Sequence, residues 1–264
     1  KGNGYDIVDK SSLKPNEISF SNIWGVCDED MYNKAIKVMN TESKKNKPFF
    51  NHIMTVSNHR PFTYPENKIK IDEAKSREGG VKYTDYALKQ FFDMAKKQAW
   101  FNNTVFVIIA DHCASSAGKT ELPLDKYRIP AMVYSPGFIA PQKYNQLMSQ
   151  IDVMPTLMGL LNFSYESKFY GQDVLESDYK PRALIATYQD LGLIKDNVLT
   201  IISPKQQVKQ FQLSLKADQK MAPEFQLYYD QVLLKKERTD LVKETVSYYQ
   251  TASDLLKKKK YQNK

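Results

Sequence analysis

The residues of this sequence with the clearest chemical potential are Asp111 and His112. They directly follow residues 105–110 (VFVIIA), an apolar and mostly β-branched run. Such a run predicts a strand buried on both faces, as in a parallel sheet. Open α/β sheets bind ligands at the C-terminal ends of such strands, and carboxylate and imidazole groups both ligate divalent metals. The pattern therefore indicates a metal-binding strand end, or on a plainer interpretation a strand that ends in polar residues.

A second group of polar side chains follows residues 49–56 (FFNHIMTV), which also resemble a buried strand. The loop after them carries His59 and Arg60, groups that can neutralise a phosphoryl or sulfuryl group in a transition state. Lys119 has the same potential role, although a solvated loop lysine would look identical. His52, inside the predicted strand, is expected to be a core or sheet-face histidine.

The elements between these residues suggest how they could meet. A helix predicted over residues 82–101, following Gly79 and Gly80, joins the two strands, and such a strand–helix–strand unit is a right-handed crossover between parallel strands. Their C-terminal ends would then share one edge of the sheet, so Asp111, His112 and His59 are expected to converge on one pocket. Adjacent residues of an extended strand point to opposite faces, so Asp111 and His112 can ligate one metal only where the strand has turned into a loop.

The remaining pattern divides the chain into two parts. Helices are predicted over residues 28–39 and 149–161 and a strand over 128–135, whereas four short alternating segments come later (residues 183–187, 197–202, 207–215 and 226–229). A helix over residues 235–256 ends the pattern. We therefore expect an α/β fold, with a largely parallel sheet flanked by helices in residues 1–180 and a small antiparallel sheet capped by a helix in residues 181–264.

Composition sets broader limits on the class of protein. The chain has 264 residues, of which 42% are hydrophobic and 12% aromatic, enough for a substantial core. The net charge of +8 favours anionic partners such as phosphate esters, lipid head groups or nucleic acid, unless it only reflects a lysine-rich surface. No apolar run approaches the ~20 residues needed to span a membrane, and no signal peptide is recognisable. The two cysteines, Cys27 and Cys113, are too few for a disulfide framework and are predicted to be free thiols.

Five segments together resemble a known family: VFVIIADH with its small-residue loop, IDVMPTLMGLL, TVSNHRPFTYP, KYTDYALKQFF and FYGQDVL. They are similar to the alkaline phosphatase and sulfatase superfamily, and within it to the lipoteichoic acid synthase and phosphoglycerol transferase branch in its Gram-negative, inner-membrane form. The resemblance covers essentially residues 1–200. Each segment is a weak signal alone, but their common order makes the combination specific.

The resemblance implies a site and a reaction. Asp111 and His112 match the metal-ligating Asp-His pair of the family, for which manganese is the usual ion and zinc, magnesium or calcium are alternatives. His59 matches a histidine that lies near the substrate phosphate, with Arg60 or Lys119 as further phosphate contacts. The implied reaction transfers phosphoglycerol, or a related head group, from an anionic phospholipid through a covalent Thr or Ser intermediate to a glycan or polyol acceptor. No nucleic acid is implied.

Some parts of the family pattern have no counterpart in this sequence. The nucleophilic Thr or Ser, an acidic metal ligand and the transmembrane helices are expected N-terminal to Lys1, in an inner-membrane protein whose catalytic domain is periplasmic. On that expectation this chain alone binds metal weakly and does not turn over. Two alternatives stay open. The first is a sulfatase or phosphodiesterase with water as acceptor, for which an upstream Cys or Ser converted to formylglycine would indicate a sulfatase and a Thr would indicate transfer instead. The second is a non-catalytic interaction domain, which a further upstream metal-ligating carboxylate would count against.

Overall fold

The computed structural model describes residues 4–70, 76–114, 122–215 and 229–261, and the chain forms two compact units. The first unit comprises residues 1–106 and 134–140, and the second comprises residues 107–133 and 141–264. The predicted boundary near residue 180 stays a prediction. None of the described helices is both long enough and apolar enough to cross a membrane.

Two helices, α1 (Asp28–Ser43) and α2 (Arg77–Ala95), form the centre of the first unit. Their apolar faces pack against each other and against the segment that leads into the next strand, because each helix buries one stripe at helical spacing. Ala87 and Ala95 on α2 are fully buried, and these small side chains allow the close approach of aromatic neighbours. The core consists of Tyr32, Ile36, Met39, Ala87, Phe91, Ala95, Trp100, Phe101 and Phe106.

Helix α2 begins earlier than the sequence predicts. The pattern indicates a break at Gly79 and Gly80, but both glycines are buried in the first turn of the helix. The Ser76 hydroxyl accepts a hydrogen bond from Gly79 N at 3.0 Å and caps the helix. A Cβ atom on Gly80 would lie 3.3 Å from the Phe62 ring, so a glycine at this position serves close packing instead of a turn.

The prediction of a strand at residues 49–56 is wrong. This fully described stretch contains no assigned strand, and His52 within it is exposed, so the core or sheet-face position expected for His52 is wrong too. The end of the stretch is held by a side chain, since Val56 N and Ser57 N both donate to Asp28 Oδ1 at 3.0 Å. An apolar run becomes a strand only where a neighbouring strand supplies the ladder, and that requirement is not local.

The next two strands, β1 (Phe106–Ile109) and β2 (Ala131–Tyr134), form a two-stranded sheet. The sequence predicts both, with slightly wider bounds. Phe106 is buried but Val107 to Ile109 are only half-buried, so β1 is not the doubly covered central strand that its apolar run indicates. In the described residues β1 has a single partner strand, which leaves one of its edges without a ladder.

The second unit contains a five-stranded antiparallel meander, in the order in which its strands follow in the chain. Its strands are β3 (Ala183–Ala186), β4 (Leu191–Lys195), β5 (Val198–Ser203), β6 (Gln207–Leu215) and β7 (Tyr229–Leu233). The predicted small antiparallel sheet is therefore confirmed, although the prediction lacks β4 and most of the predicted segment 226–229 lies outside the described residues. Short alternating segments joined by tight turns need only their sequence neighbours as partners, which explains why the sequence predicts this sheet.

Helix α4 (Thr239–Lys257) caps this sheet, as predicted. Leu241 and Thr245 of this helix are buried. The Tyr249 hydroxyl lies 2.8 and 2.9 Å from the carbonyl oxygens of Ile185 and Gly192 and shares its one proton between them, so the helix also contacts strands β3 and β4 through this group.

A buried ion pair anchors the shorter helix α3 (Val153–Leu160) in the second unit. Arg182 donates from both terminal nitrogens to the Asp152 carboxylate at 2.6 and 2.8 Å, and both side chains are almost wholly buried. The same carboxylate accepts from Ser149 N and Gln172 N, each at 2.8 Å. Burial alone would lower the pKa of Arg182, but its bonds to Asp152 raise that pKa above its ordinary value and keep the guanidinium charged.

Cys27 and Cys113 are both thiols that are not joined in a disulfide, as predicted. We expect a thiol titration of the unfolded, unreduced chain to find two sulfhydryl groups. In the folded protein Cys27 should react far more slowly than in the unfolded chain, because it is only 2% exposed and burial raises the pKa of its thiol. A titration that finds no free sulfhydryl after unfolding would contradict this assignment.

Candidate functional site

Asp111 and His112 lie in a bend one residue beyond the end of β1. The Asp111 Oδ1 atom accepts a hydrogen bond from His112 N at 2.9 Å, and its Oδ2 atom lies 3.6 Å from His112 Nε2. The strand has thus already turned into a loop, which is the condition for both side chains to reach one metal ion. The two side chains are 80% and 66% exposed, so a ligand can approach them from solvent.

The surroundings of the His112 imidazole favour a tautomer that suits metal binding. Its Nδ1 atom lies 2.8 Å from the Cys113 carbonyl oxygen, a contact that a protonated Nδ1 makes as a donor. In the neutral ring the lone pair is then on Nε2, the nitrogen that faces Asp111. Metal-ligating histidines commonly donate their second ring N–H to a backbone carbonyl in this way.

The Asp111 carboxylate and the His112 imidazole fit part of the coordination shell of a divalent metal. One carboxylate and one neutral imidazole suit manganese, zinc or magnesium, but a protein site takes about four or more ligands in total. Among the described residues no group of three His, Cys, Asp or Glu side chains could hold an ion. Asp111 and His112 together offer two of the ligands that such a site needs.

Gln150, which follows strand β2 in the chain, supports this strand end. Its Nε2 atom donates to the carbonyl oxygens of Ala110 and Asp111 at 3.0 and 3.2 Å. Gln150 belongs to a 3-10 turn that ends at Asp152, so the buried pair with Arg182 fixes the turn that supports the Asp111 backbone. Sequence reasoning misses this support, because no local signal links residue 152 to a partner 30 positions away.

His59 and Arg60 lie in an exposed turn of the first unit. The turn is closed by hydrogen bonds from His59 N to Val56 O at 3.0 Å and from Phe62 N to His59 O at 2.8 Å. The Arg60–Pro61 peptide bond is cis. Lys119, the third candidate phosphate contact, lies outside the described residues. The convergence of His59 with Asp111 and His112 stays a prediction.

Asp28, at the start of α1, fixes the entry to this turn. Its fully buried carboxylate accepts from the backbone of Val56 and Ser57 and from Thr84 Oγ1, the last at 3.2 Å. Its own backbone N–H donates to Ser57 Oγ at 3.1 Å. A carboxylate in the first turn of a helix is also stabilised by the helix dipole.

Replacing Asp28 by asparagine should therefore lower the free energy of unfolding by about 1.5–3 kcal/mol, the range for hydrogen bonds to a charged group. Equilibrium urea unfolding measures this change. Glu42→Gln, at the other end of the same helix and in an exposed pair with Lys45, serves as the control and should have little effect. Equal stability of the two variants would show that the Asp28 network does not hold the turn.

Comparison with solved structures defines the class of protein. The chain is 30% identical to a protein of the alkaline phosphatase superfamily from Vibrio parahaemolyticus, with a TM-score of 0.83 over 97% of this chain and 60% of that chain. The fold is also similar to that of the lipoteichoic acid synthase LtaP from Listeria monocytogenes, with 24% identity and a TM-score of 0.55 over 73% of this chain and 54% of that chain. The predicted α/β fold class of this superfamily is thereby confirmed.

The sequence comparisons then identify the family. The model of the sulfatase family matches residues 2–163, so the chain belongs to the sulfatase family. It is 29% identical to the lipoteichoic acid synthase-like protein YvgJ of Bacillus subtilis over 62% of this chain and 30% of that protein. It is 26% identical to the lipoteichoic acid synthase of Staphylococcus aureus over 53% of this chain and 25% of that protein.

These relatives confirm the resemblance to the lipoteichoic acid synthase branch. The chain spans about a third or less of the length of the curated relatives it matches.

Proposed function

We propose that this chain is part of a metal-dependent transferase that moves phosphoglycerol, or a related head group, from an anionic phospholipid to a glycan or polyol acceptor. The observation that carries the proposal is the Asp111–His112 pair. Its carboxylate and imidazole face each other at the end of a strand, with His112 Nε2 on the side of the Asp111 carboxylate. Membership of the sulfatase family and similarity to lipoteichoic acid synthases support the reaction class.

In this proposal Asp111 and His112 Nε2 hold a divalent metal, manganese first, with zinc, magnesium or calcium as alternatives. A bound ion of this kind supplies Lewis-acid stabilisation of developing charge and lowers the pKa of a coordinated nucleophile. The Cys113 carbonyl holds the tautomer of His112, and Gln150 holds the backbone of Asp111. These hydrogen bonds orient both side chains before an ion binds, which reduces the conformational entropy lost when the metal is bound.

His59 and Arg60, with Lys119, are proposed to bind the phosphate oxygens of the lipid head group. Their donors would meet the negative charge that grows on those oxygens in the transition state. The nucleophilic Thr or Ser and an acidic metal ligand are proposed to come from sequence N-terminal to Lys1. The nucleophile attacks phosphorus, the bond to the lipid alcohol breaks, and that alcohol leaves with the proton of the nucleophile. The acceptor hydroxyl then attacks the same phosphorus, the bond to the Thr or Ser oxygen breaks, and this oxygen takes the acceptor proton, so the head-group phosphoryl unit passes to the acceptor.

The cellular setting is part of the same proposal. We place the catalytic domain in the periplasm, with membrane attachment through helices N-terminal to this chain. The net charge of +8 suits an anionic membrane surface, and the proposed partners are phospholipid and acceptor, without nucleic acid.

The proposal predicts that His59→Ala lowers turnover about 10²-fold while metal affinity is unchanged, because the imidazole acts on phosphate oxygens and not on the ion. The assay uses the full-length protein, phosphatidylglycerol vesicles and manganese, and follows head-group release together with acceptor modification. Chelation should stop both signals. Hydrolytic release of the head group without modification of the acceptor would instead indicate the phosphodiesterase alternative. Full activity in the presence of chelator, or in His59→Ala, would contradict the proposed site.

A further inference from the structure

A short hairpin of the first unit, residues 21–26, lies against the turn that carries His59. The hairpin is formed by a bridge between Ser21 and Val26 and by a hydrogen bond from Asn22 N to Gly25 O at 2.9 Å. Gly25 has a φ of +147°, a conformation that side chains rarely adopt, which explains the glycine there. Trp24 occupies the tip of the hairpin and is 48% exposed.

Trp24 contacts the His59 turn in two ways. Its indole Nε1–H donates to the Arg60 carbonyl oxygen at 2.6 Å. Its ring lies against the His59 imidazole, with centroids 3.7 Å apart and planes inclined by 40°. A second hydrogen bond runs from Asn22 Nδ2 to Thr63 Oγ1 at 2.9 Å, so the hairpin contacts both the middle of the turn and the residue that follows it.

The Arg60 carbonyl oxygen links Trp24 to the chemistry of His59. His59 Nδ1 lies 3.2 Å from the same oxygen, which has two lone pairs and can accept from both groups. The indole fixes this oxygen in place, and the oxygen in turn favours the proton on His59 Nδ1. The exposed Nε2 is then the nitrogen left for the substrate, as an acceptor when the ring is neutral and as a donor when it is protonated.

We propose that Trp24 is a positioning residue for His59, which selects the Nδ1–H tautomer and directs Nε2 toward the phosphate group or hydroxyl of the substrate. This inference rests on the proposed function only for the contact between His59 and the substrate. The packing and the tautomer are properties of the first unit and can be measured without turnover.

The direct test is nitrogen NMR of the histidine side chains in this chain, with the His59 signals assigned by their loss in His59→Gln. The native protein should show a protonated Nδ1 and an unprotonated Nε2 for neutral His59. Trp24→Leu removes both the donor and the ring, and it should shift His59 toward the Nε2–H tautomer that free imidazole side chains favour in water. Ile23→Ala, at an adjacent side chain that is 85% exposed, is the matched control and should leave the signals unchanged.

Native nitrogen shifts retained in a folded Trp24→Leu variant would overturn the proposal. If that variant does not fold, two measurements on the native protein decide the matter. The indole N–H of Trp24 should be protected from hydrogen exchange, and its ring protons should show through-space contacts to the His59 ring. The absence of both would likewise overturn the proposal.

Kinetic measurements distinguish a failure of this proposal from a failure of the proposed function. In the full-length protein Trp24→Leu should lower kcat about tenfold, and the double variant with His59→Ala should be no slower than His59→Ala alone, because both changes act through one imidazole. A double variant that loses the product of the two single effects would overturn the positioning role. Full activity of His59→Ala would instead remove the proposed phosphate contact, while the NMR result would still decide how Trp24 acts on His59.

Discussion

Replacing His112 by alanine in the full-length protein is expected to abolish metal-dependent turnover, with a loss of roughly 10³-fold or more. The change removes one of the two metal ligands proposed for this chain, and a bound ion contributes several kcal/mol of transition-state stabilisation. Metal affinity should fall together with activity, in contrast to the behaviour expected of His59→Ala. Manganese titration and the head-group transfer assay measure the two quantities on the same sample.

His52→Ala is the matched control for this experiment, because His52 is also an exposed histidine. It should retain both metal binding and turnover. Asp111→Asn should resemble His112→Ala, since an amide oxygen is a weaker ligand than a carboxylate. If His112→Ala kept full activity and bound manganese with native affinity, the candidate metal site would be in the wrong place.

Replacing Asp152 by alanine is expected to lower the free energy of unfolding by about 3–5 kcal/mol, because the Arg182 guanidinium would remain buried without a counter-charge. Arg182 is only 1% exposed, and both of its terminal nitrogens donate to the carboxylate that would be lost. Equilibrium urea unfolding measures the change. The same variant should weaken metal binding, since Asp152 ends the turn from which Gln150 holds the Asp111 backbone.

Asp240→Ala is the surface counterpart, because Asp240 pairs with Arg238 at a solvent-exposed helix start. Exposed pairs contribute little, so this variant should unfold close to the native midpoint. Combining Asp152→Ala with Arg182→Met should recover part of the loss, because the second change removes the unpaired charge. A destabilisation of Asp152→Ala no larger than that of Asp240→Ala would show that the buried pair does not anchor the turn.

Features that depend on short-range pattern are readable from the amino-acid sequence alone. Helices α1 and α2 follow from their apolar stripes, and the meander follows from alternating segments separated by tight turns, each of which pairs with its sequence neighbour. The Asp111–His112 pair is also readable, because the two residues are adjacent and directly follow an apolar run. The common order of five segments is enough to indicate the sulfatase family.

Features that depend on partners far apart in the chain emerge only when the chain folds. Residues 49–56 have the composition of a strand but form none, because strand formation requires a ladder that composition cannot supply. Val56 at the end of this stretch instead bonds to the Asp28 carboxylate. Gly80 packs in a helix because Phe62 approaches it, and no local rule foresees that neighbour. The pairing of Asp152 with Arg182 and the packing of Trp24 on His59 each join segments some 30 residues or more apart, so only the folded chain brings these supports to the candidate site residues.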